Sequence, residues 1–162
     1  MIRFFEHLPR NGDVELSILK THLLIEELLT RVITRAAKNP SAIEEANLGF
    51  AQKMQLARAF SNLAREAWLW DALQALNQTR NKLAHGLSAT EIQQRCDAFI
   101  EIVEKFQGIP TDEILSPTFG RFHWAAFKVF SALGTYANFD ASALRKPRLL
   151  TGNAEPRASS DG

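Results

Sequence analysis

Three polar side chains that could carry out chemistry lie close together in the stretch NQTRNKLAHG, positions 77–86. They are Arg80, Asn81 and His85. An apolar row at helical spacing precedes them, formed by Leu69, Leu73 and Leu76. The same spacing places Arg80 next in the row, where an unpaired buried guanidinium would cost several kcal/mol. The arginine must therefore be paired, reach solvent or face an anion.

The chemistry open to this set is the cleavage of RNA without a metal ion. An imidazole can move a proton near neutral pH, and a guanidinium binds phosphate through a bidentate fork and stabilises its developing charge. One group would assist attack of a ribose 2′-OH on its own phosphate, and the cation would stabilise the dianionic phosphorane. The products would be a 2′,3′-cyclic phosphate and a 5′-OH. Lys82 and Asn77 are the neighbouring candidates for substrate binding.

Structural roles compete with this interpretation for each residue. A histidine beside Gly86 could be a cation at a helix C-terminus, where the helix dipole favours it. Asn81 could be a solvated surface amide. Arg80 could form a salt bridge with a carboxylate of Glu26, Glu27 or Asp71.

The order of the residues favours the catalytic interpretation. Positions 80–85, read as Arg-Asn-Lys-Leu-Ala-His, resemble the R-x4-6-H motif of the HEPN superfamily, which has a polar residue directly after the arginine. The motif lies at the end of the third main predicted helix, as in that superfamily. The long first predicted helix and the segment from Phe50 to Phe60 are also similar to the mannitol operon repressor group.

The resemblance implies a small helical bundle that forms a homodimer and joins two copies of the motif. It implies a metal-independent endoribonuclease of a toxin–antitoxin or phage-defence system, with RNA as substrate and an antitoxin or regulatory protein as a further partner. Arg80 and His85 would be catalytic and Asn81 supporting. A polar residue of the first helix would assist, with three candidates: His22, Glu26 and Glu27. The alternative is a non-enzymatic transcriptional regulator or interaction module like the mannitol operon repressor group.

Length and composition are those of one globular domain. The chain has 162 residues, a formal net charge of +1 and one cysteine, Cys96, so it cannot form an internal disulfide. No group of His, Cys and acidic residues has metal-ligand spacing, and neither a metal nor another cofactor is predicted. No apolar run is long enough to span a membrane, so we expect a cytoplasmic protein without a membrane partner. The domain should cover residues 1–145, with a disordered polar tail at 146–162.

Apolar periodicity predicts an all-α antiparallel bundle of four to five main helices, with no strands. Asp13 should cap the first helix, and capping boxes at Ser41 and Ser88 should open two others. The third long helix should span positions 65–85 and end at Gly86, in a conformation with positive φ. Ser116 and Pro117 should open an aromatic fifth helix. Of the two tryptophans on the third helix, Trp68 and Trp70, one should be in the core and the other at an interface.

Overall fold

The computed structural model describes residue 4 and residues 7–9, 12–61, 66–86, 88–108 and 120–137. Every regular element in these ranges is an α-helix, and no strand occurs among them. The helices are α1 (Val14–Ala36), α2 (Pro40–Glu45), α3 (Phe50–Phe60), α4 (Ala67–Leu83), α5 (Ala89–Gln107) and α6 (Arg121–Ala137). The five long helices pack together with the short α2, which confirms the predicted all-α bundle.

Helix α1 is the centre of the bundle and contacts α3, α4 and α6. Its start is fixed as predicted, because the Asp13 side chain accepts a hydrogen bond from the backbone N–H of Leu16 at 2.9 Å. One face of α1 carries apolar residues at helical spacing and is fully buried: Ile18, Ile25, Leu29 and Ile33. Burying each such side chain stabilises the fold by roughly 1.5–3 kcal/mol, so α1 is held in place mainly by this face.

Helices α4 and α5 are antiparallel neighbours because a short connection joins them. A groove of about 490 Å³ lies between the start of α1 and the start of α5; it is lined by Asp13, Val14, Glu15, Ala89, Ile92 and Gln93. The end of α4, only a few residues before α5, is therefore at the same end of the bundle as the start of α1. Helices α1 and α4 accordingly run antiparallel. This arrangement sets the first turns of α1 near the Arg80–His85 motif.

The capping box predicted at Ser41 is wrong. Helix α2 begins one residue earlier, at Pro40, with Asn39 as its N-cap and no capping hydrogen bond from a side chain. Proline is favoured at the first helical position, since it needs no N–H partner there and its φ is already helical. Ser41 therefore lies inside the first turn, where its hydroxyl donates to Asn39 Oδ1 at 3.2 Å.

The prediction for the two tryptophans is also wrong, because both are buried. Trp68 is 5% exposed and Trp70 is 3% exposed. Their side chains leave α4 in different directions, but this helix packs against four others: α1, α3, α5 and α6. Two sides of α4 are therefore covered within a single chain.

Some predictions fall outside the described residues. Helix α6 begins at Arg121, and the Ser116–Pro117 start lies in a part of the chain that is not described, as does the tail at 146–162. In the described ranges, no helix combines the length and the apolar character needed to cross a membrane.

Candidate functional site

The motif occupies the last turn of α4 and the turn that follows it. Helix α4 ends at Leu83, two residues before the predicted end, and Ala84 is its C-cap. The backbone N–H of His85 donates to the carbonyl of Lys82 at 3.0 Å, and that of Gly86 donates to the carbonyl of Leu83 at 3.2 Å. These shorter-range bonds tighten the end of the helix. Gly86 has φ +77°, which confirms the predicted positive-φ residue after the helix.

Arg80 is exposed at the point where the buried face of α4 ends. Leu76, one turn earlier, is 1% exposed, whereas the Arg80 side chain reaches solvent. Its Nη1 donates to Asn81 Oδ1 at 3.4 Å, a long and weak hydrogen bond. Among the described residues, no carboxylate lies within ion-pair distance of this guanidinium. The salt bridges considered from the sequence are not formed.

The carboxylates of α1 that might have neutralised Arg80 are paired elsewhere. Glu27 binds Arg31, one turn further along the same helix. Glu26 binds Lys53 of α3, with 2.8 Å between Nζ and Oε1. Neither of these two carboxylates therefore neutralises the positive charge of Arg80.

The other motif residues are exposed as well. Asn81, Lys82 and His85 all lie on the surface. Within the described part of the chain, no hydrogen bond joins the His85 ring to any side chain, Arg80 included. The structure thus places the predicted catalytic residues on the exposed surface at the end of α4.

The structure adds a partly buried cluster that reaches α4 one turn before the motif. We call it the His22 cluster; it is made of His22, Glu26, Phe50, Lys53 and Asn77. His22 is 5% exposed, and its ring stacks on Phe50 with 4.2 Å between the centroids and 26° between the planes. Its Nε2 lies 3.2 Å from Asn77 Oδ1, and its Nδ1 lies 3.9 Å from Glu26 Oε2. Of the three candidates on the first helix, His22 alone has a recorded contact with α4, through Asn77. Glu26 binds Lys53 of α3, and Glu27 is engaged with Arg31.

Burial lowers the pKa of His22 below its ordinary value. The hydrogen bond with Asn77 and the negative charge of Glu26 raise this pKa, and the positive charge of Arg80 lowers it further. The net shift favours the neutral ring. With Asn77 Oδ1 facing the ring, as in the structure, a neutral His22 with its hydrogen on Nε2 donates to this oxygen, because an amide oxygen can only accept. Arg80 is close enough for its charge to act on this ring.

Sequence reasoning missed Phe50 and Lys53 as members of the His22 cluster. Both belong to α3, and the pair Lys53–Glu26 joins residues 27 positions apart. No local spacing links these positions. Asn77 was predicted to bind substrate from its place one turn before the motif, and the structure shows it partly buried and bonded to His22.

The remaining titratable and nucleophilic groups lie away from the motif. Ser17 Oγ and His123 Nε2 are 3.0 Å apart in the buried contact between α1 and α6. Burial raises the pKa of the Cys96 thiol to about 11. In the described ranges, no three His, Cys, Asp or Glu side chains are grouped so that they could hold a metal ion.

Comparisons of the chain with protein-family models, with curated proteins and with solved structures find no match in any of the three. The resemblance to the HEPN superfamily stays a prediction that depends on the motif residues themselves.

Proposed function

We propose that this chain is a metal-independent endoribonuclease of the HEPN type. The proposal is supported by one observation above all: Arg80 is an exposed guanidinium with no carboxylate partner among the described residues, and His85 follows it at the same helix end. An unpaired arginine beside an exposed imidazole suits a phosphodiester better than it suits a structural salt bridge.

The reaction follows from the chemistry of these two side chains. His85 removes the proton of a ribose 2′-OH, and the 2′-oxygen attacks the adjacent phosphorus. Arg80 stabilises the extra negative charge of the phosphorane. The P–O5′ bond then breaks, and the departing 5′-oxygen takes up a proton from water, which leaves a 2′,3′-cyclic phosphate and a 5′-OH. The protonated His85 ring returns its proton to water, so the net proton balance is zero. Exposed Lys82 supplies a second positive charge for the RNA backbone.

The direct test is to incubate the purified protein with RNA in excess chelator and to analyse the ends of the products. We expect cyclic-phosphate and 5′-OH ends, and a rate at least about a hundredfold lower in Arg80→Ala and His85→Ala. Arg35→Ala and His7→Ala are matched controls, because both side chains are exposed and Arg35 lies in the last turn of α1, away from the motif. Cleavage that persists in His85→Ala removes the assignment.

Our proposal includes a homodimer, because no hydrogen bond joins Arg80 to His85 within one copy of the described chain and no described side chain orients the His85 ring. A second copy would bring its own motif to the same phosphodiester. Mixing Arg80→Ala with His85→Ala subunits tests this composite site. If each site takes its arginine and its histidine from different copies, random mixing restores about a quarter of the wild-type activity. No recovery, in mixtures shown to exchange subunits, means that each copy acts alone.

A non-enzymatic binding or regulatory module is the second candidate, and the unsupported His85 ring favours it. A general base is usually held in orientation by a neighbouring group, and no described residue holds this ring. The same Arg80 and Lys82 surface would then bind an anionic partner without cleaving it. Overproduction in cells separates the two: a toxic ribonuclease arrests growth and Arg80→Ala relieves the arrest, whereas a binding module gives equal growth with both proteins.

A further inference from the structure

The Asn77 side-chain amide is held by α1 at the point where α4 approaches the motif. His22 Nε2 lies 3.2 Å from Asn77 Oδ1, and the imidazole is fixed from its other side by stacking on Phe50. The contact joins two residues 55 positions apart and is partly buried. In the structure, the Asn77 amide turns its Oδ1 atom toward His22.

This orientation leaves the amide nitrogen as a free donor. The Oδ1 atom is occupied by His22, and Nδ2 makes no hydrogen bond to any described residue. The two atoms of a planar amide point in different directions, so Nδ2 is turned away from His22. Asn77 and Arg80 are three residues apart on α4 and share a helix face. The NH2 group and the guanidinium are thus neighbouring donors beside the same helix end.

We propose that His22 is a positioning residue, which holds Asn77 so that its NH2 group and the Arg80 guanidinium together bind the non-bridging oxygens of a phosphodiester. The proposal deepens the proposed ribonuclease function and rests on it for the identity of the ligand. His22 itself does not touch the RNA. Its contribution is to fix which end of the amide faces the phosphate, since a flipped amide would present an oxygen and repel the anion.

The tautomer of His22 is part of this arrangement. Only a ring with hydrogen on Nε2 can donate to Oδ1 and keep the NH2 group outward. Glu26 Oε2 is 3.9 Å from Nδ1, too far for a hydrogen bond, so the carboxylate does not compel a hydrogen on that nitrogen. A glutamine at position 22 could place its own NH2 near the position of Nε2 and preserve the contact. A leucine could not.

The experiment is a titration of ¹⁵N-labelled protein with inorganic phosphate, followed through the side-chain NH2 signals of Asn77. We expect these signals to shift in the wild-type protein and in His22→Gln. In His22→Leu the apparent phosphate affinity should fall about tenfold, because one of the paired donors is no longer aligned. An unchanged titration in folded His22→Leu overturns the proposal.

A second variant keeps the test decisive if His22→Leu does not fold. Asn77→Asp retains an oxygen for His22 but replaces the outward NH2 group by a second oxygen, so phosphate binding should be lost. Because aspartate has no NH2 signals, this variant and its control are followed through the backbone amide signals of positions 80–86. Gln78→Glu is the matched control, because it adds the same charge at the next, exposed position of α4. It should weaken binding only about twofold in physiological salt. Equal losses in the two variants mean that charge alone explains the effect, and they contradict the proposal.

Failure of this inference is distinguishable from failure of the proposed function. If phosphate binding depends on His22 but the protein does not cleave RNA, the role of His22 is supported and the ribonuclease function is contradicted. If the protein cleaves RNA, and His22→Leu changes neither the cleavage kinetics nor phosphate binding, the proposed ribonuclease function is supported and the role of His22 is contradicted. His123→Leu controls for the loss of a buried histidine, since His123 is 6% exposed and lies on the other side of α1.

Discussion

Lys53 Nζ lies 2.8 Å from Glu26 Oε1 and joins α3 to α1 within the His22 cluster. The other oxygen of the same carboxylate is 3.9 Å from His22 Nδ1. Since lysine holds Glu26, the carboxylate is not paired with Arg80. The negative charge of Glu26 therefore raises the pKa of the His22 ring, and the positive charge of Arg80 lowers it.

Removing either charge should move the pKa of His22 in a predictable direction. Glu26→Gln removes the negative charge that favours the protonated ring, so the pKa should fall further. Arg80→Ala removes a positive charge that disfavours it, so the pKa should rise. A pH titration of the His22 ring signals by NMR measures both. Shifts of the same sign in the two variants would show that Arg80 does not act on this ring.

The lowered pKa of His22 also predicts how stability depends on pH. As pH falls below about 6.5, the ordinary value, the unfolded chain protonates at this position before the folded chain does. The unfolded state then binds more protons, so the free energy of unfolding decreases with falling pH until the folded-state pKa is passed. His22→Gln should remove this component. Urea unfolding at about pH 7.5 and about pH 5 measures it, with exposed His7→Gln as the control. Equal acid sensitivity in wild type and His22→Gln contradicts the assignment.

We expect the N-cap at Ser88 to increase the free energy of unfolding by a measurable amount. Its hydroxyl accepts from the backbone N–H of Glu91 at 3.3 Å, and its own backbone N–H donates to the Glu91 carboxylate at 2.9 Å. Ser88→Ala should destabilise the fold by about 1 kcal/mol. Ser41→Ala is the matched control, since Ser41 is exposed and does not cap α2. Its effect should stay within about 0.5 kcal/mol. Urea unfolding compares them, and equal effects would mean that the Ser88 cap adds no stability.

These two serines show how far local patterns determine the fold. Both begin a sequence that fits a capping box and both follow the end of a helix, but only Ser88 is itself the N-cap of the next helix. At Ser41 the preceding Pro40 begins the helix one residue earlier. The long helices were predictable because apolar residues repeat with the helical period, and the boundaries failed where two start signals competed.

Only the part of the candidate site that lies within one short segment could be predicted from the sequence. Arg80 and His85 lie within six positions, so their spacing is visible in the sequence. The contact between His22 and Asn77 spans 55 positions and depends on the antiparallel packing of α1 on α4, which no short pattern encodes. The exposure of Arg80 also depends on helix packing. The apolar row places Arg80 on the buried face of α4, and only the packed bundle shows where that face ends.

Cys96 should be unreactive in the folded protein. Burial raises the pKa of its thiol to about 11, and the charge of Asp97 adds in the same direction. The thiolate is the reactive form, so its fraction at neutral pH is very small. Alkylation followed by intact mass should show no modification in native buffer and complete modification in urea. Rapid labelling of the native protein would indicate that α5 opens locally or that the thiol is more accessible than its 2% exposure implies.

We expect alanine substitutions at two glycines to change the free energy of unfolding in opposite directions. Gly86 has φ +77° in the turn after the motif, a conformation that costs an L-residue roughly 1–2 kcal/mol. Gly134 lies inside α6, where an added Cβ meets no atom within 4 Å. Gly86→Ala should therefore lower the free energy of unfolding by about 1 kcal/mol, and Gly134→Ala should raise it by about 0.4–1 kcal/mol because the unfolded chain loses freedom. Urea unfolding of the two variants measures both changes. If Gly86→Ala is neutral, the turn that carries His85 adopts another backbone conformation in solution, and the placement of His85 next to the end of α4 has to be revised.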